Sequence, residues 1–265
     1  MFSEAFLIRR YTPMSLEGKK IALTGGTRGI GTFVANELTA QGANVLLVGR
    51  QPPEWVASRF LRGDLSTAAG ATQVAAALAA ESPDILINMA GTQFFGPFEK
   101  ESSEHVQASF MVNLLSPVLL TQSVVPAMKF RGTGHIVNVG SIFGSINYPH
   151  FVTYSSAKGG LRAFSEALRR EVYGSGVDVT YIAPRAVKSA TTTAQVLRFA
   201  RTAKMNLDDP RNVALRIVRA IVNREKDVFI GFSERLFVRA NALVPRLVDT
   251  VLRSQTVGVK KSFTP

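Results

Sequence analysis

The chain has 265 residues, no cysteine and a formal net charge of +12, which is length enough for one domain with a sizeable core. The missing cysteines exclude disulfides, thiolate metal sites and cysteine nucleophiles, and His105, His135 and His150 show no paired metal-ligand spacing, so no metal is expected. The charge is uneven, with 16 Lys and Arg against 6 Asp and Glu in residues 185–265 and 15 against 13 in residues 1–184, so the basic end suits an anionic partner; lacking any zinc-finger, RNP or helix-turn-helix pattern, that partner is not expected to be nucleic acid.

Residues 1–15 read as an N-terminal extension with the charges of a poor signal peptide, and no uninterrupted apolar run approaches the roughly 20 residues that span a bilayer. The expected setting is cytoplasmic. Residues 20–24 form a first buried strand that runs into Gly25-Gly26-Thr27-Arg28-Gly29-Ile30-Gly31 and then a helical pattern with Val34, Ala35 and Leu38 on one face. Such a glycine turn lets backbone N–H groups approach a phosphate at the positive helix end; a tight turn needing glycine for geometry alone has the same composition. A second strand, residues 44–48, ends at Gly49-Arg50. A carboxylate at this place binds adenosine ribose hydroxyls and repels a 2′-phosphate. With Arg50 here, Arg28 in the turn and no carboxylate, the pattern points to a phosphorylated ribose, because guanidinium pairs well with phosphate.

Arg62-Gly63-Asp64-Leu65 precedes an alanine-rich helix over residues 66–80, and residues 84–87 form a further strand closing with Asn88-Met89-Ala90-Gly91. Residues 103–128 read as one long helix with Asn113 on an apolar face, a polar group that is costly to bury unless bonded. Another strand, residues 135–140, leads into Ser141 and a loop, and then into an amphipathic helix read to start at Ala157. Tyr154 and Lys158 are four residues apart and so share one helix face. An ammonium beside a phenol lowers the phenol pKa from about 10, which makes a usable proton donor and acceptor. Ser141 closes the strand where its hydroxyl can reach the same spot.

Residues 176–184 are a further strand and residues 185–208 a loop with a short helical piece. Asp209-Pro210 starts a helix with Val213, Ile217, Ala220 and Ile221 at core spacing, and residues 227–231 are the last strand. Alternating strands and helices predict an α/β fold over residues 16–232, a Rossmann-type doubly wound parallel sheet of about seven strands with helices on both faces. Ligands on such sheets sit at the carboxyl ends of the strands. Residues 233–265 make a basic amphipathic C-terminal extension, helical, with Leu236, Ala240, Leu243, Leu247 and Val251 at helical spacing and Pro245 set to bend or break it. Three roles are open to it: a lid over the cleft, an oligomer contact, or a peripheral membrane contact through residues 233–253.

Five separated elements occur in order: Thr24-Gly25-x-x-x-Gly29-Ile30-Gly31, Asp64-Leu65, Asn88-Met89-Ala90-Gly91, Asn113, and Ser141 with Tyr154-x-x-x-Lys158. Together they resemble the short-chain dehydrogenase/reductase family over residues 16–232. The resemblance implies that Tyr154 protonates a substrate carbonyl oxygen as hydride arrives from a nicotinamide. Lys158 would bind the nicotinamide ribose and lower the Tyr154 pKa, Ser141 would hydrogen-bond the carbonyl, and Asn113 would join a proton relay. The implied cofactor is NADP(H), held by Gly25, Thr27, Arg28, Gly29, Ile30 and Gly31 in the turn, by Arg50, by Asp64 and Leu65 at the adenine, and by Asn88, Ala90 and Gly91 along the cleft. Pro184, Val187 and Ser189 take the nicotinamide-side positions, although Arg185 stands where the family has glycine.

The expected activity is NADPH-dependent reduction of a ketone or β-keto group to a secondary alcohol. A 3-oxoacyl thioester reductase of fatty-acid or polyketide type is the alternative; an NADP-binding sensor or a peripheral membrane protein on the same scaffold is the non-enzyme alternative. The expected partners are a hydrophobic carbonyl substrate, free or carrier-bound, and further copies of the chain in a homodimer or homotetramer. The expected substrate pocket comprises Phe94, Phe95, Ile142, Phe143, Tyr148, Phe151 and the loop at residues 190–200.

Overall fold

The apolar runs form a single sheet of seven parallel strands, which in chain order stand 3-2-1-4-5-6-7 across the sheet. The computed structural model describes residues 13–53, 59–188, 194–202 and 206–260. The strands are β1 (Lys20–Thr24), β2 (Asn44–Gly49), β3 (Arg59–Arg62), β4 (Ile85–Asn88), β5 (Gly134–Val139), β6 (Val177–Ala183) and β7 (Asp227–Phe229). Their carboxyl ends lie level, since Thr24 pairs with Val48 and Asn88, and Asn88 pairs with Asn138.

Alternation along each strand sends its residues to two cores. On one face Leu23, Leu47 and Val137 pack with Val34 and Leu38 of α1 (Ile30–Ala40) and with Ile217 and Ile221 of α8 (Pro210–Val222). On the other, Ala22, Leu86 and Ile136 pack with Val74 and Leu78 of α2 (Ala68–Glu81) and with Leu120 and Val124 of α4 (Ser116–Arg131). This is the expected doubly wound layout, with each crossover helix covering the strands that it connects.

Two helices depart from the sequence reading. The long helix comes in three pieces: α3 (Ser103–Phe110), a π-turn at Met111–Leu115, and α4. The whole span Ser103–Arg131 has the length and mean hydropathy of a membrane-crossing helix, although it contains no unbroken apolar run of that length. Its apolar face is spent on the sheet and on α2. The helix carrying Tyr154, α6 (Val152–Glu171), starts at Val152 and not at Ala157, so Tyr154 falls in its first turn. Between β5 and α6 lies a short turn of helix, α5 (Phe143–Ile146), and after β6 the helical piece in the expected loop is α7 (Ala194–Thr202). The extension forms α9 (Phe232–Leu243) and α10 (Pro245–Lys260), which break at Val244 with Pro245 opening the second helix, where proline is well tolerated.

His135 on β5 is buried with its Nε2 2.8 Å from Thr180 Oγ1. Burial first, and the Arg224 guanidinium second, push its pKa from 6.5 to about 3. Between those values the unfolded chain binds a proton that the folded chain refuses, so stability is fully present above pH 6.5 and is lost as pH falls below it. Urea unfolding at stepped pH should show a loss from this group of up to about 1.4 kcal/mol per pH unit, and His135→Gln should flatten that slope relative to the parent chain.

Candidate active site

The glycine turn is fixed by crowding. Gly25 sits at φ +73°, and a Cβ there would lie 2.7 Å from the backbone of Ala90, while a Cβ at Gly31 would lie 2.0 Å from the Gly25 carbonyl oxygen. Only glycine lets the turn pass this close to the end of β4. Gly29 caps α1 with no side-chain acceptor, and the first turn carries no acidic residue, so the helix start, with Ile30 and Gly31, is open to an anion. Thr24 ties β1 to the next strand end, its Oγ1 accepting from Met89 N at 3.0 Å and Ala90 N at 3.1 Å. Asn88 donates to Asn138 Oδ1 at 2.9 Å and to Thr121 Oγ1 at 3.2 Å, and Asn138 donates onward to Ser165 Oγ. Sequence reading passed over Thr121 and Ser165, which lie on helices, and Asn138, for which a polar residue near the end of an apolar strand is the visible signal.

At the far end of the turn, Thr27 faces Gly49, Arg50 is exposed, and Arg28 reaches Gln51 Oε1 at a long 3.5 Å. Asp64 accepts from Ser66 N at 2.9 Å and Ser66 Oγ at 2.7 Å. Those bonds hold its carboxyl below the usual range, with a smaller contribution from the Arg50 charge. Leu65 is buried, and its carbonyl accepts from Ser116 Oγ at 2.7 Å.

The four residues expected to do chemistry come together above β4 and β5. The π-turn holds Asn113 fully buried, its Nδ2 donating to Thr92 O at 2.7 Å and Ser109 O at 2.9 Å. Its Oδ1 has no hydrogen-bond partner, an expense that buried polar atoms rarely bear without a ligand or water in prospect. A Cβ at Gly91 would lie 3.0 Å from that Oδ1 and 3.8 Å from Lys158 Nζ, so amide oxygen and ammonium flank the same bare glycine. Lys158, 3 % exposed, donates to Val139 O at 2.9 Å and stands 5.9 Å from the Tyr154 ring centre. Ser141 Oγ accepts from Phe143 N at 3.2 Å and keeps its own proton to donate; it hydrogen-bonds with Tyr154.

The proton affinities correct the sequence reading. Burial raises the Tyr154 pKa, and the Ser141 hydroxyl pulls only partly the other way. Burial lowers Lys158 from 10.5 to about 8. Desolvation disfavours both charged forms, so the net shift of the phenol is upward and not the lowering that the spacing alone had implied. The glycine turn, the open helix start, the orphaned Asn113 oxygen and the Lys158 ammonium together fit a nicotinamide dinucleotide laid across the strand ends.

On the nicotinamide side, Pro184 O accepts from Ile142 N at 3.1 Å and Val187 bridges to Asp208; Ser189 lies outside the described residues, as do residues 190–193 of the expected pocket loop. Arg185 takes a role that the sequence did not show. Its guanidinium makes a bidentate pair with Asp208 at 2.6 and 2.8 Å and reaches Glu234 of α9 at 3.1 Å. It therefore clamps the end of β6 to the extension. Of the expected pocket residues, Phe95, Ile142, Phe143, Tyr148 and Phe151 pack into one apolar cluster with Phe199 of α7 and with Val238, Val248 and Leu252 of the extension. Phe94 packs instead on His105, at 5.9 Å between ring centres. An open groove of about 340 Å³ beneath α10, lined by Tyr148, Val152, Ser155, Asp249 and Leu252 among others, borders this cluster.

A family model described as short chain dehydrogenase matches residues 19–198. Ketoacyl reductase HetN of Nostoc sp. is 29 % identical over 259 residues, covering 90 % of each chain. Dehydrogenase/reductase SDR family member 7B of Rattus norvegicus is 30 % identical over 276 residues, covering 93 % of this chain and 84 % of that one. Among solved structures, the Pseudomonas aeruginosa RhlG/NADP active-site complex has a TM-score of 0.72 at 25 % identity, covering 83 % of this chain and 98 % of the other.

Arg185→Gly restores the glycine that the motif predicts and leaves Asp208 and Glu234 half-buried without their cation. Thermal unfolding should register a loss of about 1–3 kcal/mol, and limited proteolysis should cut the extension faster than in the parent chain. Unchanged melting and unchanged cutting would remove the clamp.

Proposed function

This chain belongs to the short-chain dehydrogenase/reductase family, and on that premise we propose that it reduces a hydrophobic ketone or β-keto group to a secondary alcohol with NADPH. The observation that carries the proposal is the convergence of Ser141, Tyr154, Lys158 and the orphaned Asn113 oxygen on one spot at the strand ends. The nicotinamide, when bound, supplies the hydride.

Every other requirement falls to the chain itself. The raised pKa of Tyr154 keeps the phenol protonated at neutral pH, ready to donate to a carbonyl oxygen that gains charge. Ser141 steadies the same oxygen with its hydroxyl proton. Lys158, still largely cationic below about pH 8, offsets the charge left on Tyr154. Asn113 Oδ1 accepts from a water that passes a proton back from solvent. The aromatic cluster around Phe95, Phe143 and Phe151 favours an apolar substrate body, and α7 with the extension serves as its cover. Arg28 and Arg50, with no carboxylate at the end of β2, support NADPH over NADH, and the RhlG complex with NADP supports the same choice. An assembly of two or four copies is the quaternary state we infer, by family habit.

One observation favours a narrower substrate. HetN bears the name ketoacyl reductase, and the basic residues 185–265 suit an acidic carrier, so a 3-oxoacyl thioester is the second reading. A panel pairing free ketones with 3-oxoacyl thioesters separates the two by kcat/KM.

Tyr154→Phe should cost about 10²–10⁴ in kcat with dinucleotide affinity kept. NADPH binding without turnover by the parent chain on the whole panel would leave a sensor. In the reduction direction kcat/KM should hold level below about pH 8 and fall above it as Lys158 loses its proton. Replacing Arg28 and Arg50 with Ser should shift preference towards NADH by about 10- to 100-fold, the loss of a charge-assisted contact.

A further inference from the structure

The extension has two apolar faces, and the chain uses one. Val238, Val248 and Leu252 are buried in the aromatic cluster. Leu236, Leu243 and Leu247 point the other way and are 64 %, 81 % and 63 % exposed, with Val244 between the two helices at 48 %. On α9, Leu236 and Leu243 are seven residues apart and so fall on one stripe, opposite Val238. The exposed group is concentrated at the break, where Leu243, Val244, Pro245, Arg246 and Leu247 all face solvent.

Its rim is cationic. Arg235, Arg239, Arg246 and Arg253 are exposed along the two helices, and residues 233–265 hold 6 Lys and Arg against Glu234 and Asp249. Glu234 is engaged by Arg185, which leaves Asp249 as the acid on α9 and α10 outside that clamp. A two-fold contact between copies through this elbow sets like patches face to face and so brings arginine against arginine. An anionic partner removes that conflict, and arginine stems reach along an apolar surface while their heads meet phosphate.

We propose that the α9–α10 elbow docks on an anionic lipid surface, with Leu243, Val244 and Leu247 set into the acyl boundary and Arg239 and Arg246 at the headgroups. The surface is separate from the strand-end cleft, and the docking stands whether or not the site turns over.

The test is co-sedimentation of the full chain with vesicles of phosphatidylcholine alone or with about one third phosphatidylglycerol, a range in which polybasic surfaces respond to charge. The parent chain should pellet with the anionic vesicles and stay largely soluble with the neutral ones, and added salt should release it. Leu243→Glu with Leu247→Glu should abolish pelleting. Arg239→Ser with Arg246→Ser should weaken it by roughly 25-fold, since each basic residue near such a surface contributes about fivefold. Both positions in each pair are exposed, and an unchanged melting curve and unchanged NADPH binding certify the fold of each variant. No pelleting with anionic vesicles, or pelleting indifferent to the leucine pair, overturns the proposal. So does a self-association in sedimentation velocity that the leucine pair abolishes while vesicles bind nothing; the elbow is then a contact between copies.

Discussion

A buried ammonium sets the terms for everything around it. Lys158 is almost wholly enclosed, and an isolated charge there costs several kcal/mol unless polar groups receive it. The carbonyl of Val139, the last residue of β5, receives one of its protons. That bond joins the Tyr154 helix to the end of a central strand, so the phenol is placed by the sheet and not by a loop. The charge that remains is close to the threshold at which burial would strip it, with the pKa brought to about 8. Tyr154 is pushed the opposite way, to the neutral phenol. Both groups lean towards their uncharged forms, so the protein alone resists a phenolate.

The polar residues at the strand ends bear the structural side of the same task. Apolar strands can stop anywhere; here Thr24 and Asn88 end β1 and β4, Asn138 stands level with them one residue before the end of β5, and the three bond to each other's surroundings. The π-turn then carries Asn113 to that level from a helix that would otherwise sweep it past. An α-helix running straight through Met111–Leu115 satisfies its own backbone but rotates the amide away; the widened turn gives up some regularity, and such bulges recur at functional sites. Its two donors are absorbed by Thr92 and Ser109, and the acceptor is left over. The asymmetry distinguishes a satisfied helix-packing asparagine, which would use both ends, from one held ready.

Much of this was legible beforehand, for identifiable reasons. The central strands are continuous apolar runs, and the glycine turn, the Tyr154–Lys158 spacing and the Pro245 break depend on local chemistry that the chain writes in one place. β3 was harder to read, being four residues with an arginine at each end, on the edge of the sheet. The start of α6 was misplaced because Phe151 gives the helix no side-chain cap to announce it. The π-turn has no residue signal at all, since it is set by packing across the long helix. The Tyr154 pKa went wrong in sign because spacing reveals a neighbour's charge but not the depth of the burial that competes with it.

Arg185 shows how a departure from a motif becomes intelligible only in three dimensions. In sequence it is a long side chain where a small one is usual, beside the position where a nicotinamide would lie. In the fold its guanidinium is committed to Asp208 and Glu234, so its length is spent on crossing from β6 to α9. A glycine serves where nothing has to be reached. Here a helical extension contributes Val238, Val248 and Leu252 to an apolar cluster with Phe143 and Phe151, and apolar contacts alone do not fix its angle, because hydrophobic burial is non-directional. A bidentate ion pair is directional. The arginine therefore adds a directional tie to an extension that the leucines and valines hold by apolar contact, and it does so from a residue directly next to the strand end. Whatever displaces the extension must pull on that strand end too, as well as break the bond from Asn241 of α9 to the Ser145 carbonyl.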